Sequence, residues 1–426
     1  MTRAAPTTWP RRVLASVGDS DDLYGAHVET WGPLPPASAL PAAAVIDTVE
    51  ASGLLGRGGA GFPAGRKMRT VAAGASRRPV VVANGAEGEP ASGKDGLLLT
   101  RVPHLVLDGV QLAARAVGAD EAHLAVHRGS AAAGVVRAAL ARRGKSDSVR
   151  VHLHEIPSRY VASEETALVH YLNGGEARPT FTPPRPFEQG VGRRPTLVNN
   201  VETLAHVGAI ARRGVEWFRE VGDPDEPGTL LVSISADGIA RRVAEVPTGT
   251  TIGAVAERAG VDRKGAGAVL VGGYFGSWLP AAYAWQLPLT HRAMQSAGAA
   301  LGAGVVAVLP PSSCGVAETA RVMGYLAAHN AGQCGPCLNG LPAIATALTR
   351  LASGGWDERG WPALERWLAV VPGRGACRHP DGAVRFASTA LAVFAEDVEQ
   401  HRSGSPCAAA ANPAWLPAPR PMDAWR

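Results

Sequence analysis

The chain has 426 residues, a formal net charge of +5 and 46% hydrophobic side chains, enough for more than one packed core and too apolar for a disordered segment. With 42 basic against 37 acidic residues, and no basic stripe interleaved with aromatics, a nucleic-acid partner is not expected. No apolar h-region follows the N-terminal MTRAAPTTWPRR, and the most apolar stretch, Ala297 to Leu309, is too short to span a bilayer, so a cytoplasmic protein without a transmembrane segment is expected.

Residues 1–43 are proline-rich and weakly patterned, an N-terminal arm. From Ala44 to Leu55 apolar residues recur at helical spacing. A glycine loop follows, Gly56-Arg57-Gly58-Gly59-Ala60-Gly61-Phe62-Pro63, and then a short basic helix with Lys67. Val80 to Ala83 reads as a buried strand ending in Asn84-Gly85-Ala86-Glu87-Gly88-Glu89-Pro90. Helix is predicted over His104 to Val117, strand over Ala122 to His127, helix over Ala131 to Arg143, a half-buried strand over Val149 to Leu153, and helix over Glu164 to Leu172. This alternation predicts an α/β domain over 44–223 with a largely parallel sheet. Pro224 to Gly228 reads as a linker. A hairpin of Leu230 to Ser235 with Arg241 to Val246 turns at Asp237-Gly238, then a threonine-capped helix from Thr250 and a strand at Val269 to Val271 suggest a β-grasp-like module over 228–300. Helical periods at Val316 to Ala328, Gly340 to Leu351, Trp361 to Ala369 and Thr389 to Glu399 predict a C-terminal helical bundle over 310–400. Residues 401–426 read as a flexible tail.

Five cysteines in so long a chain are too few for a disulfide framework, and their clustering points instead to metal or redox chemistry. The glycine loop allows backbone N–H groups to approach an anion. It fits G-x-G-x-x-G at Gly56, Gly58 and Gly61, but a helix precedes it where a Rossmann unit needs a strand, so a mononucleotide phosphate cradle or a plain tight turn remains. Asn84 to Pro90 lies at a strand end, where open α/β sheets bind ligands, with Glu87 and Glu89 as hydrogen-bond acceptors or as a solvated turn. At Tyr160 to Thr166, Ser163 is placed to cap a helix that starts with Glu164 and Glu165. Asn199 and Asn200 end an apolar run, where a buried amide needs a partner: either a ligand edge or a helix cap. Cys334-Gly335-Pro336-Cys337 with Cys377 suits an iron–sulfur cluster, or zinc with His329 or His379 as a fourth ligand.

Taken in order, the glycine loop with Lys67, Asn84 to Pro90 with Lys94-Asp95, Glu164 to Leu168, Pro195 to Leu204 with its paired asparagines, and Cys334 to Cys337 resemble the flavin-bearing, NADH-oxidising subunits of respiratory complex I and the related diaphorase subunits of hydrogenases and formate dehydrogenases. The resemblance spans roughly residues 45–400. It implies an α/β FMN-binding domain, a β-grasp-like module and a C-terminal helical bundle carrying an iron–sulfur site. It also implies FMN contacts at Gly56, Gly58, Lys67, Asn84, Asn199 and Asn200, extending to Gly59, Gly61, Glu87 and Glu164. Phe62, Glu89 and Glu165 would face a nicotinamide nucleotide, the two carboxylates nearest the chemistry. Cys334, Cys337 and Cys377 would ligate a [4Fe–4S] cluster.

The sequence also departs from the family pattern. Ala86 replaces an aspartate of the Asn-Ala-Asp-Glu run, Thr70 replaces an aromatic, Arg185 ends what is Lys-Pro-Pro-Phe elsewhere, and Ala331 replaces the first cluster cysteine. The donor is thereby left open among NADH, NADPH and a protein. The fourth cluster position is left among Cys314, His329, His379, Cys407 and none; a non-cysteine ligand, an incomplete cluster or a bent helix would each reconcile this. The expected function is an NAD(P)H dehydrogenase-like oxidoreductase subunit. It would pass electrons through FMN and the cluster to a ferredoxin-like or other iron–sulfur partner. The competing expectation is a non-catalytic paralogue that keeps the fold and a metal site as a binding or assembly module.

Overall fold

The computed structural model describes residues 9–18, 21–74, 77–144, 147–237, 239–357, 359–419 and 423–426. Gly238 of the expected hairpin turn and the first residues of the arm lie outside them.

The first unit begins with helices α1 (Leu23–Trp31), α2 (Ala42–Ser52) and α3 (Ala64–Ala73), the glycine loop joining the last two. Strand β1 (Val80–Asn84), helices α4 (Lys94–Arg101) and α5 (Pro103–Val117), strand β2 (Glu121–His127), helix α6 (Ala131–Arg143) and strand β3 (Arg150–Ile156) follow. Helix α7 (Glu165–Leu172), strand β4 (Thr196–Asn200) and helix α8 (Val201–Arg219) complete it. The four strands form a wholly parallel sheet in the order β3-β2-β1-β4. β1 is apolar at every position but its last because both sheet faces are covered. The order makes β1 and β4 a switch point: the chain winds outward through β2 and β3, then returns to the other side of β1. Ligands of open parallel sheets bind where such strands end.

Helices α5 and α8 cross in close contact. A Cβ on Gly109 would sit 1.8 Å from the Leu204 carbonyl oxygen, and one on Gly208 would lie 2.8 Å from that of Leu105. These glycines let α8 approach, and α8 starts directly after Asn200 at the end of β4. Helix α4 has no long apolar period to announce it; its apolar residues sit in a single short run, Leu97 to Leu99.

The second unit is a five-stranded sheet in the order β6-β5-β9-β7-β8, built from β5 (Thr229–Ala236), β6 (Ile239–Pro247), β7 (Ala268–Val271), β8 (Ser277–Pro280) and β9 (Val305–Val308). Helix α9 (Ile252–Arg258), capped by Thr251, and the short helices α10 (Ala281–Ala284) and α11 (His291–Ser296) pack around it. β9 pairs parallel to β5 and antiparallel to β7, carrying the sheet past residue 300.

The third unit is helical: α12 (Gly315–Ala328), α13 (Leu341–Ala352), α14 (Gly360–Val370), α15 (His379–Val393) and α16 (Ala395–Arg402). In place of one helix over Thr389 to Glu399, α15 and α16 meet at Phe394. The segment expected as a flexible tail packs instead: Leu416 is buried, Glu318 accepts its N–H at 3.0 Å, and Ala177 donates to the Trp425 carbonyl at 2.8 Å. No single helix among the described residues is long and apolar enough to cross a membrane. The bent pair α4 and α5 passes by composition, but α5 is buried core.

The arm is anchored too. The buried Glu245 carboxylate accepts the backbone N–H groups of Arg12, Val13 and Leu14 at 2.9, 2.9 and 3.0 Å. Replacing Glu245 by glutamine sets an amide donor against one of those donors. The expected result is a loss of about 2 kcal/mol in urea unfolding and faster hydrogen exchange at residues 12–14 than elsewhere in the arm.

Candidate functional site

Asn84 and Asn200 end β1 and β4 side by side, paired in register, with Asn200 Nδ2 donating to the Asn84 carbonyl at 3.2 Å. Asn200 also caps α8, its Oδ1 accepting Glu202 N–H at 3.0 Å, so it stands both at the sheet edge and at a helix start. Asn84 Nδ2 donates to the Ser163 carbonyl at 2.8 Å. Asn199 is buried, and its Nδ2 has no partner among the described residues.

Lys67 reaches this edge from α3. Its Nζ donates to the Val198 carbonyl at 2.7 Å and meets the Glu165 carboxylate at 3.3 Å. Both side chains stay partly open, 21% and 36% exposed. The glycine loop closes on itself, Gly56 N–H donating to the Phe62 carbonyl at 2.9 Å. Arg57 fixes it, its N–H donating to Thr203 Oγ1 at 2.8 Å and its guanidinium to the Thr229 carbonyl. Gly58 lies where a Cβ would approach Asn200 Cβ to 3.3 Å, and Gly61, at φ 63°, where one would strike the His291 ring. Gly59 faces Gly302 of the second unit. Phe62 projects outward, 49% exposed. The preceding element is helix α2, which removes the Rossmann reading.

Not every expected residue joins this edge. Glu164, rather than Ser163, caps α7, its carboxylate accepting Thr166 N–H at 2.9 Å and Ala167 N–H at 3.1 Å. Burial holds its pKa above the ordinary value despite those bonds. Glu87 accepts from Asp95 N–H and Gly96 N–H at 3.3 and 3.2 Å, at the start of α4, and burial followed by the Asp95 charge raises its pKa. Glu89 is held inside the fold. It is buried and accepts from Tyr160 Oη at 3.0 Å, Tyr274 N–H at 2.7 Å and Ala91 N–H at 3.1 Å. Burial lifts its pKa to about 7.

Beneath the edge lies a charge network to which the sequence motifs assign no role. Lys94 Nζ contacts Asp95 at 2.7 Å, Glu202 at 3.0 Å and Asn200 Oδ1 at 3.0 Å, all four residues being buried or nearly so. Burial pulls the ammonium pKa down, but the Asp95 and Glu202 carboxylates hold it above the ordinary lysine value. Glu202 also accepts Leu231 N–H at 2.8 Å, with Arg57 Nε 4.0 Å away. A signal was present: lysine occurs four times in the chain, and Lys94 is itself one of the motif residues.

The cysteines fall into two groups. Cys334 and Cys337 flank the turn before α13, their thiols in contact, with Cys377 in electrostatic range at the start of α15. Burial, then the Cys334 sulfur, raises the Cys337 pKa, and burial raises that of Cys377 to about 11, so thiolates here need a cation beside them. Ala331 is buried and offers no ligand. Cys314 stands at the other end of α12, whose 14 residues span about 21 Å, and Cys407 lies beside Cys314, so neither completes this set. His329 Nδ1 accepts Tyr160 N–H at 3.3 Å, whereas His379 Nδ1 is buried without a partner among the described residues.

The donor sets fit the groups expected. A cation, paired amides and a buried amide without a partner among the described residues suit a flavin phosphate and ring at a switch point, and two thiols on one turn with a third in electrostatic range suit an iron–sulfur cluster. A parallel α/β sheet joined to thiol-bearing helices thus defines a flavin and iron–sulfur oxidoreductase subunit. Residues 49–209 match the model of the Nuo51 FMN-binding domain and residues 317–401 that of the NADH-ubiquinone oxidoreductase-F iron-sulfur binding region. The chain is 31% identical over 373 residues to the F 2 subunit of NADH-quinone oxidoreductase from Rhizobium meliloti, covering 84% of this chain and 88% of the relative. It is 30% identical over 423 residues to the F subunit of NADH-quinone oxidoreductase from Streptomyces coelicolor, covering 93% and 92%. A chain of the NAD+-reducing [NiFe]-hydrogenase, solved in its H2-reduced state, superposes with a TM-score of 0.80 at 31% identity, covering 91% of this chain and 67% of that one. The chain belongs to the family of NADH-quinone oxidoreductase F subunits.

Proposed function

We propose that this chain oxidises a nicotinamide nucleotide at the ends of β1 and β4 and delivers electrons through its helical unit to a protein partner. FMN held there would supply hydride acceptance and one-electron release. The observation that carries the reading is Lys67 set at 2.7 Å from the Val198 carbonyl of β4, the strand that ends in Asn199, whose buried amide has no partner among the described residues, and Asn200. Gly56, Gly58, Gly59 and Gly61 let backbone approach the phosphate. Lys67 places positive charge where a reduced flavin carries negative charge. Of the two carboxylates expected to face the nucleotide, Glu165 remains open to it, together with the exposed Phe62 ring as a stacking surface. Glu89 positions the units from within.

Cys334, Cys337 and Cys377 supply three cluster ligands, with a non-cysteine donor at the fourth position. His379 Nδ1 is the nearby buried nitrogen without a partner among the described residues. Leu338, next to Cys337, is 60% exposed, so this turn reaches the surface where an iron–sulfur or ferredoxin-like acceptor docks. The order β6-β5-β9-β7-β8, with β5 and β9 parallel, supports reading the second unit as β-grasp-like. Five unpaired thiols support a cytoplasmic setting.

Anaerobic purification with flavin, iron and sulfide analysis tests this. FMN, iron and acid-labile sulfide are expected together, with the flavin band bleaching on addition of NADH or NADPH. C377S is expected to keep the flavin and its bleaching while losing most of the iron. Protein without flavin or iron would mark a fold-retaining binding module instead. Flavin-loaded protein that neither nucleotide bleaches removes nucleotide oxidation.

A further inference from the structure

A second thiol cluster lies at the far end of α12, apart from the proposed electron path. Cys314 Sγ, His401 Nε2 and Cys407 Sγ all lie within 4.8 Å of one another. Cys314 and His401 are buried, and Cys407 is half-buried. The three come from different places: the residue capping α12, the last turn of α16, and the segment that follows it.

The surroundings prepare each atom as a ligand. His401 Nδ1 lies 3.1 Å from the Leu351 carbonyl, which can only accept, so Nδ1 carries the hydrogen and Nε2 presents its lone pair. A carbonyl held behind the ring in this way is the usual support for a metal-bound imidazole. Cys314 Sγ lies 3.5 Å from Nε2, matching the roughly 3.5 Å edge of a tetrahedron with zinc–sulfur and zinc–nitrogen bonds of ordinary length. Burial raises the Cys314 pKa to about 12 and the Ala317 N–H, donating to its Sγ at 3.4 Å, only partly offsets this, so a thiolate here needs a bound cation. The lone pair of Nε2 otherwise receives only a long contact from Cys407 N–H at 3.3 Å, which a cation would replace.

We propose that Cys314, His401 and Cys407 bind one zinc ion as a structural staple, fastening the C-terminal segment to the start of α12. Two thiolates and an imidazole select a soft d10 cation over magnesium or calcium. Binding releases the two thiol protons to solvent and involves no redox change. The cation closes the loop from α12 to the segment after α16, which also holds Leu416 and Trp415 against Glu318.

Metal analysis of the full-length chain, purified anaerobically from zinc-supplemented cells, tests the proposal. The expected result is about one zinc per chain in addition to iron, lost in C407S and in C314S while flavin and iron stay unchanged. Zinc-edge absorption should show two sulfur neighbours and nitrogen or oxygen for the rest. Because C314S can disturb a buried site, C407S and chelation of the wild type carry the test. Chelation should speed tryptic cleavage after Arg402 about tenfold without loss of flavin. Zinc retained in C407S but lost in C334S would place the metal at the cluster thiols and overturn the proposal. So would a Cys314–Cys407 disulfide found by mass in anaerobic protein, or free thiols with no zinc. Tryptic cleavage unaffected by chelation would overturn the staple.

Discussion

Replacing Lys94 by methionine is expected to lower unfolding stability by about 3–5 kcal/mol, seen as a lower urea midpoint with unchanged slope. Methionine fills the volume but leaves Asp95 and Glu202 with no cation in direct contact; Arg57 is 4.0 Å from Glu202 and already bonded to the Thr229 carbonyl. The loss measures an uncompensated buried charge rather than the worth of the pair. Glu202→Gln in the same background removes one of the stranded charges. The double variant is therefore expected to be more stable than Lys94→Met alone. If the two losses simply add, the network is not coupled in this way. Because Asn200 shares Lys94, the single variant should also weaken FMN retention.

The second large effect is on pH dependence. The Glu89 carboxyl has a pKa of about 7 in the folded chain against an ordinary 4.5, chiefly through burial. A group with a raised folded pKa adds its full stability below the unfolded value and loses it as pH climbs through the folded one. Wild-type stability should therefore fall between about pH 4.5 and 7 by roughly 3 kcal/mol more than that of Glu89→Gln. The slope of this difference is the decisive quantity, because glutamine also sets its amide against one of the three donors. Parallel stability curves for the two proteins would contradict the assignment. The residues that respond are Tyr160 and Tyr274. Tyr160 packs against His379 and Tyr325 and its backbone reaches His329, so this carboxyl sits where the flavin and thiol units meet.

Much of this architecture can be read from local pattern. The apolar run of β1, the helices of the first unit and the paired asparagines each owe their structure to neighbours in sequence. The strand-end placement of Asn84 and Asn200 follows from the parallel sheet those runs imply. Features set by distant partners leave no such trace. Glu89 looks like a loop carboxylate until Tyr160 and Tyr274, 71 and 185 residues away, close around it. Cys314 and His401 are separated by 87 residues, and no spacing rule joins them. β9 hides in a run of five apolar residues between Gly304 and Pro310, and the packing of the tail depends on Glu318, nearly a hundred residues earlier. The cap of α7 falls one residue beyond Ser163 because Glu164 itself adopts the extended conformation that a cap requires.

Anchoring of the arm by Glu245 bears on biosynthesis. Arg12 and the carboxylate that receives its N–H are 233 residues apart. At elongation rates of about 5–20 residues per second, roughly 10–50 s pass between their syntheses. This segment must therefore wait through translation of the entire parallel-sheet unit. Its apolar Val13 and Leu14 stay uncovered in that interval, making a nascent-chain chaperone most useful before β6 emerges.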